Sequence, residues 1–365
     1  MKNEQSVGQS RSGFQGDCLP VLIGSLPLRD HHKATELILG HTPRIPLWSQ
    51  LPALEGEDML SQFLPGMPGW VHRDGKEYID TQAKDFDADL LGFYERYMEI
   101  LEHGFAPEEE RFALGQDRAA GFYRLLDALA GQELPLAAVK GQVSGPITFG
   151  TGVKDQDGRS IFYDHQLRDA LLKLLGLKAA WQAEQLARFQ VPVIIFFDEP
   201  ALAGFGSSEL ISISRQDVIS SLNEAMEPVH SRQGLTGIHV CANADWSVIL
   251  ETETDILSFD AYAYFDKLIM YAGELRAFVD RGGVIAWGIV PTQDPEAIDQ
   301  ASAASLLEQL EPEFKQVEAL GISRRQLLKQ SLITPSCGTG SLSEARAEKV
   351  LALTREVSDQ LRSAQ

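Results

Sequence analysis

Along the chain, short runs of β-branched and aromatic residues alternate with longer segments whose apolar positions recur every three or four residues. The short runs are VLIGS (21–25), RIPLWSQ (44–50), LAAVKGQVS (136–144), VPVIIFFDE (191–199), TGIHVCA (236–242), DILSFDAY (255–262), GVIAWGIV (283–290) and SLITPSCG (331–338). The segments between them, such as DHQLRDALLKLLGLKAAWQAEQLARF and RQDVISSLNEAMEPVHSR, predict helices, and LSEARAEKVLALTREVSDQLRSA predicts a closing one. Eight strand–helix units in this order predict an α/β chain folded as a (β/α)8 TIM barrel. It is read as a single domain over 18–365, with an insertion of about 51–135 after the second strand. Residues 1–17 are polar, carry no periodic apolar pattern and predict a flexible N-terminal arm. An open doubly wound sheet is the alternative, but LIGSLPLRDHH after the first strand lacks the Gly-x-Gly-x-x-Gly phosphate turn.

Composition narrows the function. The chain of 365 residues is 44% hydrophobic, ample for a core, and carries a formal charge of −20. That charge repels a nucleic-acid backbone and an anionic membrane alike, so neither is an expected partner. No apolar run reaches the ~18–20 residues that span a bilayer, and the polar start lacks the apolar core of a signal peptide, so a cytoplasmic location is expected. The cysteines are three, Cys18, Cys241 and Cys337, too few for a disulfide framework.

The distinctive residues fall at strand ends, which a barrel gathers on one face. His239 and Cys241 stand at i and i+2 in TGIHVCA, so they project from the same side of one strand. Cys337 ends the eighth run, at the same mouth. One imidazole and two thiolates with a position left open is a catalytic Zn(II) donor set. Asp198, in FFDEPALAGFG, caps the following turn ahead of Pro200, stands as a carboxylate that binds a substrate cation, or does both. Gly145 and Gly288 remove side-chain bulk and leave backbone open to a flat donor, unless they serve ordinary loop geometry. Trp48, Trp70, Trp246 and Trp287 are expected to pack in the core or rim rather than to wall the site.

Taken in order, IGSLP, KGQVSGPIT, DEPAL, HVC and PSCG resemble the catalytic barrel of cobalamin-independent methionine synthase, from about residue 20 to the C-terminus. That family shares its superfamily with uroporphyrinogen decarboxylase and the methylcobamide:thiol methyltransferases. The resemblance implies that His239, Cys241 and Cys337 bind zinc. It implies a fourth ligand at the end of the sixth strand, where Asp260 matches best and Asp255 or a water is the alternative. It further implies that Ile23, Gly24, Ser25 and Asp198 hold the amino-acid part of a thiol such as homocysteine. Gln50 stands where methionine synthases carry a glutamate that binds the amine. Only the catalytic barrel is matched, as in short enzymes that take the methyl group from a corrinoid protein. The expected activity is therefore zinc-dependent methyl transfer from a corrinoid or folate-type donor to a small thiol. The alternatives are a metal-free uroporphyrinogen decarboxylase-like enzyme, against which IPLWSQLPALEGED lacks arginine after Trp48, and a non-catalytic corrinoid- or thiol-binding protein.

Overall fold

The computed structural model describes residues 13–206, 210 and 212–363. Of the expected arm, residues 1–12 lie outside the described residues, while Gly16 and Asp17 donate their backbone N–H groups to Lys329 O. Nine strands form among the described residues: β1 (Leu19–Pro20), β2 (Trp70–Arg73), β3 (Lys76–Ile79), β4 (Val139–Ser144), β5 (Val193–Asp198), β6 (Leu235–Val240), β7 (Ile256–Phe259), β8 (Val284–Val290) and β9 (Ser331–Pro335). Seven of them make one curled parallel sheet in the order β1-β9-β8-β7-β6-β5-β4. Every residue of β4 through β9 is buried, as befits parallel strands covered on both faces.

Side chains alternate across this sheet. Leu19, Ala138, Ile194, Phe196, Leu235, Ile256, Val284, Ala286 and Leu332 pack together inside the curl. Their neighbours in sequence, among them Val139, Ile195, Leu257, Ile285 and Ile333, belong to the larger cluster shared with the helices. Capping follows the residue types: Asp164 accepts from Gln166 N and Leu167 N at the start of His165–Ala187, and Ser214 forms a capping box with Asp217 ahead of Arg215–His230.

The expected second strand, 44–50, differs. It touches both sheet edges through isolated parallel bridges, Ser25 with Gln50 and Leu47 with Lys140, and does not form a continuous strand. Proline explains the interruption: Pro43 and Pro46 have no N–H to donate to a ladder. The expected first strand, 21–25, is displaced as well: the two residues that form a strand are Leu19–Pro20, with Val21 N donating to Ile333 O at 2.9 Å just beyond it.

Residues 51–135 hold the antiparallel pair β2–β3 and the helices Phe86–His103 and Ala120–Ala130. Asp74 and Gly75, at φ 53° and 70°, make the two-residue turn of the hairpin. Ile79 N donates to Lys154 O at 2.9 Å, which ties β3 to the stretch after β4. No helix among the described residues is long and apolar enough to cross a membrane.

Candidate metal and substrate site

His239 lies at the C-terminal end of β6 and is 3% exposed, with Cys241 just beyond the strand. Cys337 follows β9 at the same end of the sheet. The imidazole and the two sulfurs lie within 4.8 Å of one another, so the pair two positions apart and the distant cysteine do converge. His239 Nδ1 is 3.0 Å from Ser258 Oγ, and its Nε2 is buried with no hydrogen-bond partner. A metal-binding imidazole ordinarily has this arrangement, one nitrogen anchored and the other free. The hydrogen bond from Cys337, and then His239, pull the Cys241 pKa below the ordinary thiol range. Cys337 is pushed up by that same hydrogen bond and by burial. One nitrogen lone pair and two sulfurs, one of them with its ionisation eased, suit Zn(II).

Asp198 ends β5, in register with Ser144 of β4 on one side and His239 of β6 on the other. It is 5% exposed and its Oδ1 has no partner. Burial raises its pKa, against the attraction of His239 and Lys140. Capping of the next turn, the other role considered for Asp198, is absent, since that turn starts at Glu199 and has no side-chain cap.

Ile23, Gly24 and Ser25 form the turn after β1 and meet the Cys337 loop directly. Thr339 N and Oγ1 both donate to Ser25 O at 3.0 Å, and Gly340 N donates to Ser25 Oγ at 3.2 Å. Gln50 N donates to Gly24 O, and Gly24 sits at φ 156° with no room for a side chain. A Cβ there would lie 2.8 Å from Gln50 Oε1. The structure therefore brings Ile23, Gly24, Ser25, Gln50 and Cys337 to one neighbourhood.

The room left by Gly145 is filled by Glu199, whose carboxylate a Cβ would meet at 2.2–2.4 Å. Gly288 is packed in the same way, with Phe259 O 2.4 Å from such a Cβ. Asp260 lies outside the His–Cys–Cys cluster; its side chain caps Ala261–Leu268 by accepting from Ala263 N at 2.9 Å. It still feels the site, since burial and then Cys241 raise its pKa to about 6 against His239. Asp255 precedes β7, at the opposite end of the strand, and is engaged by Thr236 N and His230. Trp48, Trp246 and Trp287 are wholly buried, and Trp70 lies under Arg118 at 5.0 Å, which matches their expected packing roles.

Several polar residues escaped the sequence reading. Glu199 is fully buried and accepts from Ile147 N, Thr148 N and Thr148 Oγ1, locking the loop after β4 to the end of β5. Lys140 Nζ, also fully buried, donates to Ile23 O at 2.6 Å and lies 4.4 Å above the Phe196 ring. Burial lowers the Lys140 pKa to about 8, with Asp198 opposing. Gln142 donates to Trp48 O at 2.9 Å. The signal lay in VKGQVS, where polar residues recur with period two in an otherwise apolar strand and so share its inner face.

No family model and no curated protein matches the chain. Among solved structures, a methyltransferase from Methanosarcina mazei aligns over 90% of this chain and 87% of its own, with 15% identity and a TM-score of 0.50. A B12-independent methionine synthase from Shewanella sp. W3-18-1, in complex with selenomethionine, aligns over 62% of this chain at 19% identity, TM-score 0.45. This chain spans 63% of that enzyme's length. A GH20 module of a pneumococcal exo-β-D-N-acetylglucosaminidase aligns over 94% of this chain and 85% of its own, at 11% identity and a TM-score of 0.44. At these identities the likeness is one of architecture: the chain shares the fold of the Methanosarcina methyltransferase.

Proposed function

We propose that this protein is a zinc-dependent methyltransferase that moves a methyl group from a corrinoid or folate-type donor to a small thiol such as homocysteine. The observation that carries the reading is the cluster of His239, Cys241 and Cys337, with Nε2 free and a thiol of lowered pKa beside it. The fold shared with a methyltransferase agrees with it. In this reading the bridged segment 44–50 is the second strand of an eight-stranded (β/α)8 barrel, and 18–365 is one domain behind a flexible arm.

His239, Cys241 and Cys337 would hold the metal, with Asp260 or a water as a fourth ligand. Bound there, zinc supplies the positive charge that keeps an acceptor thiol ionised near neutral pH. Asp198 Oδ1, buried and unpaired, accepts from a donor on the acceptor's polar end. The Ile23–Gly24–Ser25 turn, pinned by Lys140 and Thr339, offers rigid backbone beside it. Transfer is an in-line displacement in which the sulfur–carbon bond forms as the methyl group leaves the donor, and this demands a closely oriented acceptor. A methylcorrinoid protein is the proposed donor-side partner, docking on the β2–β3 hairpin and its flanks. The protein is placed in the cytoplasm, with no nucleic-acid or membrane partner.

Elemental analysis of the wild type, Cys241→Ser and Cys337→Ser, followed by demethylation of methylcobalamin with a panel of thiols, tests the reading. The expected result is about one zinc per chain, lost in both variants, and thiol-dependent demethylation. A folded, reduced wild type that takes up no zinc overturns it.

A further inference from the structure

A chain of amide hydrogen bonds runs from a backbone carbonyl to the mouth of the site. Gln62 Nε2 donates to Arg118 O at 2.6 Å, and Gln50 Nε2 donates to Gln62 Oε1 at 2.7 Å. Both side chains are buried. A carbonyl oxygen only accepts, so Arg118 O dictates that Gln62 turns its nitrogen toward it. Gln62 Oε1 must then face Gln50, and Gln50 must answer with its own nitrogen. The sense of both amides follows from one backbone oxygen. Gln50 Oε1 is left at the Gly24 turn, where it accepts no hydrogen bond among the described residues.

The anchor is itself immobilised. Arg118 donates to Ser61 O at 2.7 Å, pairs with Glu77 of β3 at 2.8 Å and lies over Trp70 of β2. Nearby donors are engaged with the protein: Gln142 Nε2 donates to Trp48 O, and Lys140 Nζ to Ile23 O and Gln142 Oε1. Gln50 Oε1 and Asp198 Oδ1 are both oxygens that accept no hydrogen bond among the described residues.

We propose that Gln62 is a positioning residue that sets acceptor specificity: by holding the Gln50 carbonyl oxygen toward the Gly24 turn, it makes the site prefer a thiol bearing a hydrogen-bond donor, a primary ammonium foremost. A glutamine free to rotate would present its NH2 group half the time and repel the same substrate. The proposal rests on the thiol-acceptor reading above.

The test is calorimetric binding of homocysteine and of its des-amino analogue γ-mercaptobutyrate to zinc-loaded protein, wild type against Gln62→Met. The wild type is expected to favour homocysteine by about tenfold or more, the worth of one hydrogen bond to a charged group. Gln62→Met is expected to lower that preference by about tenfold, the share held by Gln50, while keeping its zinc. Adding Gln50→Glu to Gln62→Met restores it, because a carboxylate presents oxygen in either orientation; a merely structural Gln62 would show no such rescue. If Gln62→Met fails to fold, Gln62→Asn, which shortens the reach, carries the same expectation. Equal preference in wild type and variant overturns the inference alone. A zinc-loaded wild type that binds neither thiol overturns the functional reading and this inference with it.

Discussion

Asp198 and His239 face each other in register at the ends of β5 and β6, and each leaves one buried polar atom unpaired, Oδ1 and Nε2 respectively. An unsatisfied buried polar group costs about 1–3 kcal/mol, so two side by side are a feature that ligands must redeem. Asp198→Asn is expected to raise the KM for an amine-bearing thiol by about 10- to 100-fold, the loss of a hydrogen bond between charged partners. Zinc per chain stays unchanged. Loss of zinc in this variant would place Asp198 among the ligands instead.

The cysteines differ in chemistry. Cys18 is buried, donates to Leu328 O at 3.5 Å and has its pKa pushed up to about 12 by burial. The Cys241 pKa is instead pulled down by the Cys337 hydrogen bond and by His239. In metal-stripped, reduced protein pulsed with iodoacetamide at about pH 6, Cys241 is expected to react first and Cys18 not at all, since only thiolates alkylate readily. Added zinc slows the labelling of Cys241. Peptide mapping that finds Cys18 modified ahead of Cys241 would refute this ordering.

Glu199 ties two strand ends together through three donors at 2.7–2.8 Å. Burial raises its pKa to about 7 even against those bonds. Glu199→Gln turns an NH2 group onto an N–H donor. It is expected to cost about 2–4 kcal/mol in urea unfolding, more than a surface change of the same kind. A variant as stable as the wild type would show that the lock is dispensable.

Glu313 gives a signature in pH. It is 7% exposed, its Oε2 is unpaired, and burial, then Asp260 nearby, raises its pKa from the ordinary 4.5 to about 8. With the folded pKa above the unfolded one, the native state holds the proton more tightly. Its contribution to stability is complete below about pH 4.5 and lost as the pH rises to about 8. Across that window Glu313→Gln is expected to reduce the fall of unfolding free energy with pH, by up to about 1.4 kcal/mol per pH unit. Denaturant melts at several pH values decide this, and parallel curves would mean that Glu313 is ionised in the folded protein.

The alternating runs located β4 through β9 to within a few residues because strands buried on both faces are written as continuous apolar stretches. The same parity placed His239 and Cys241 on one side of β6. The hairpin β2–β3 was not among the expected strands, although the Asp74–Gly75 pair between two four-residue runs is its signal. Pro43 and Pro46 were equally visible warnings that 44–50 would bridge its neighbours instead of forming a ladder.

What the sequence determined alone was local: strand and helix periodicity, caps at Asp164 and Ser214, and the residue types able to bind a soft divalent metal. Tertiary structure decided which of them meet. Cys337 reaches His239 only because the parallel sheet brings the ends of β6 and β9 to one face. Asp260 Oδ1 caps a helix N-terminus, and Glu199 fills the space that Gly145 leaves. Whether a buried polar atom is satisfied depends on neighbours distant in sequence, and local patterning encodes no such neighbour.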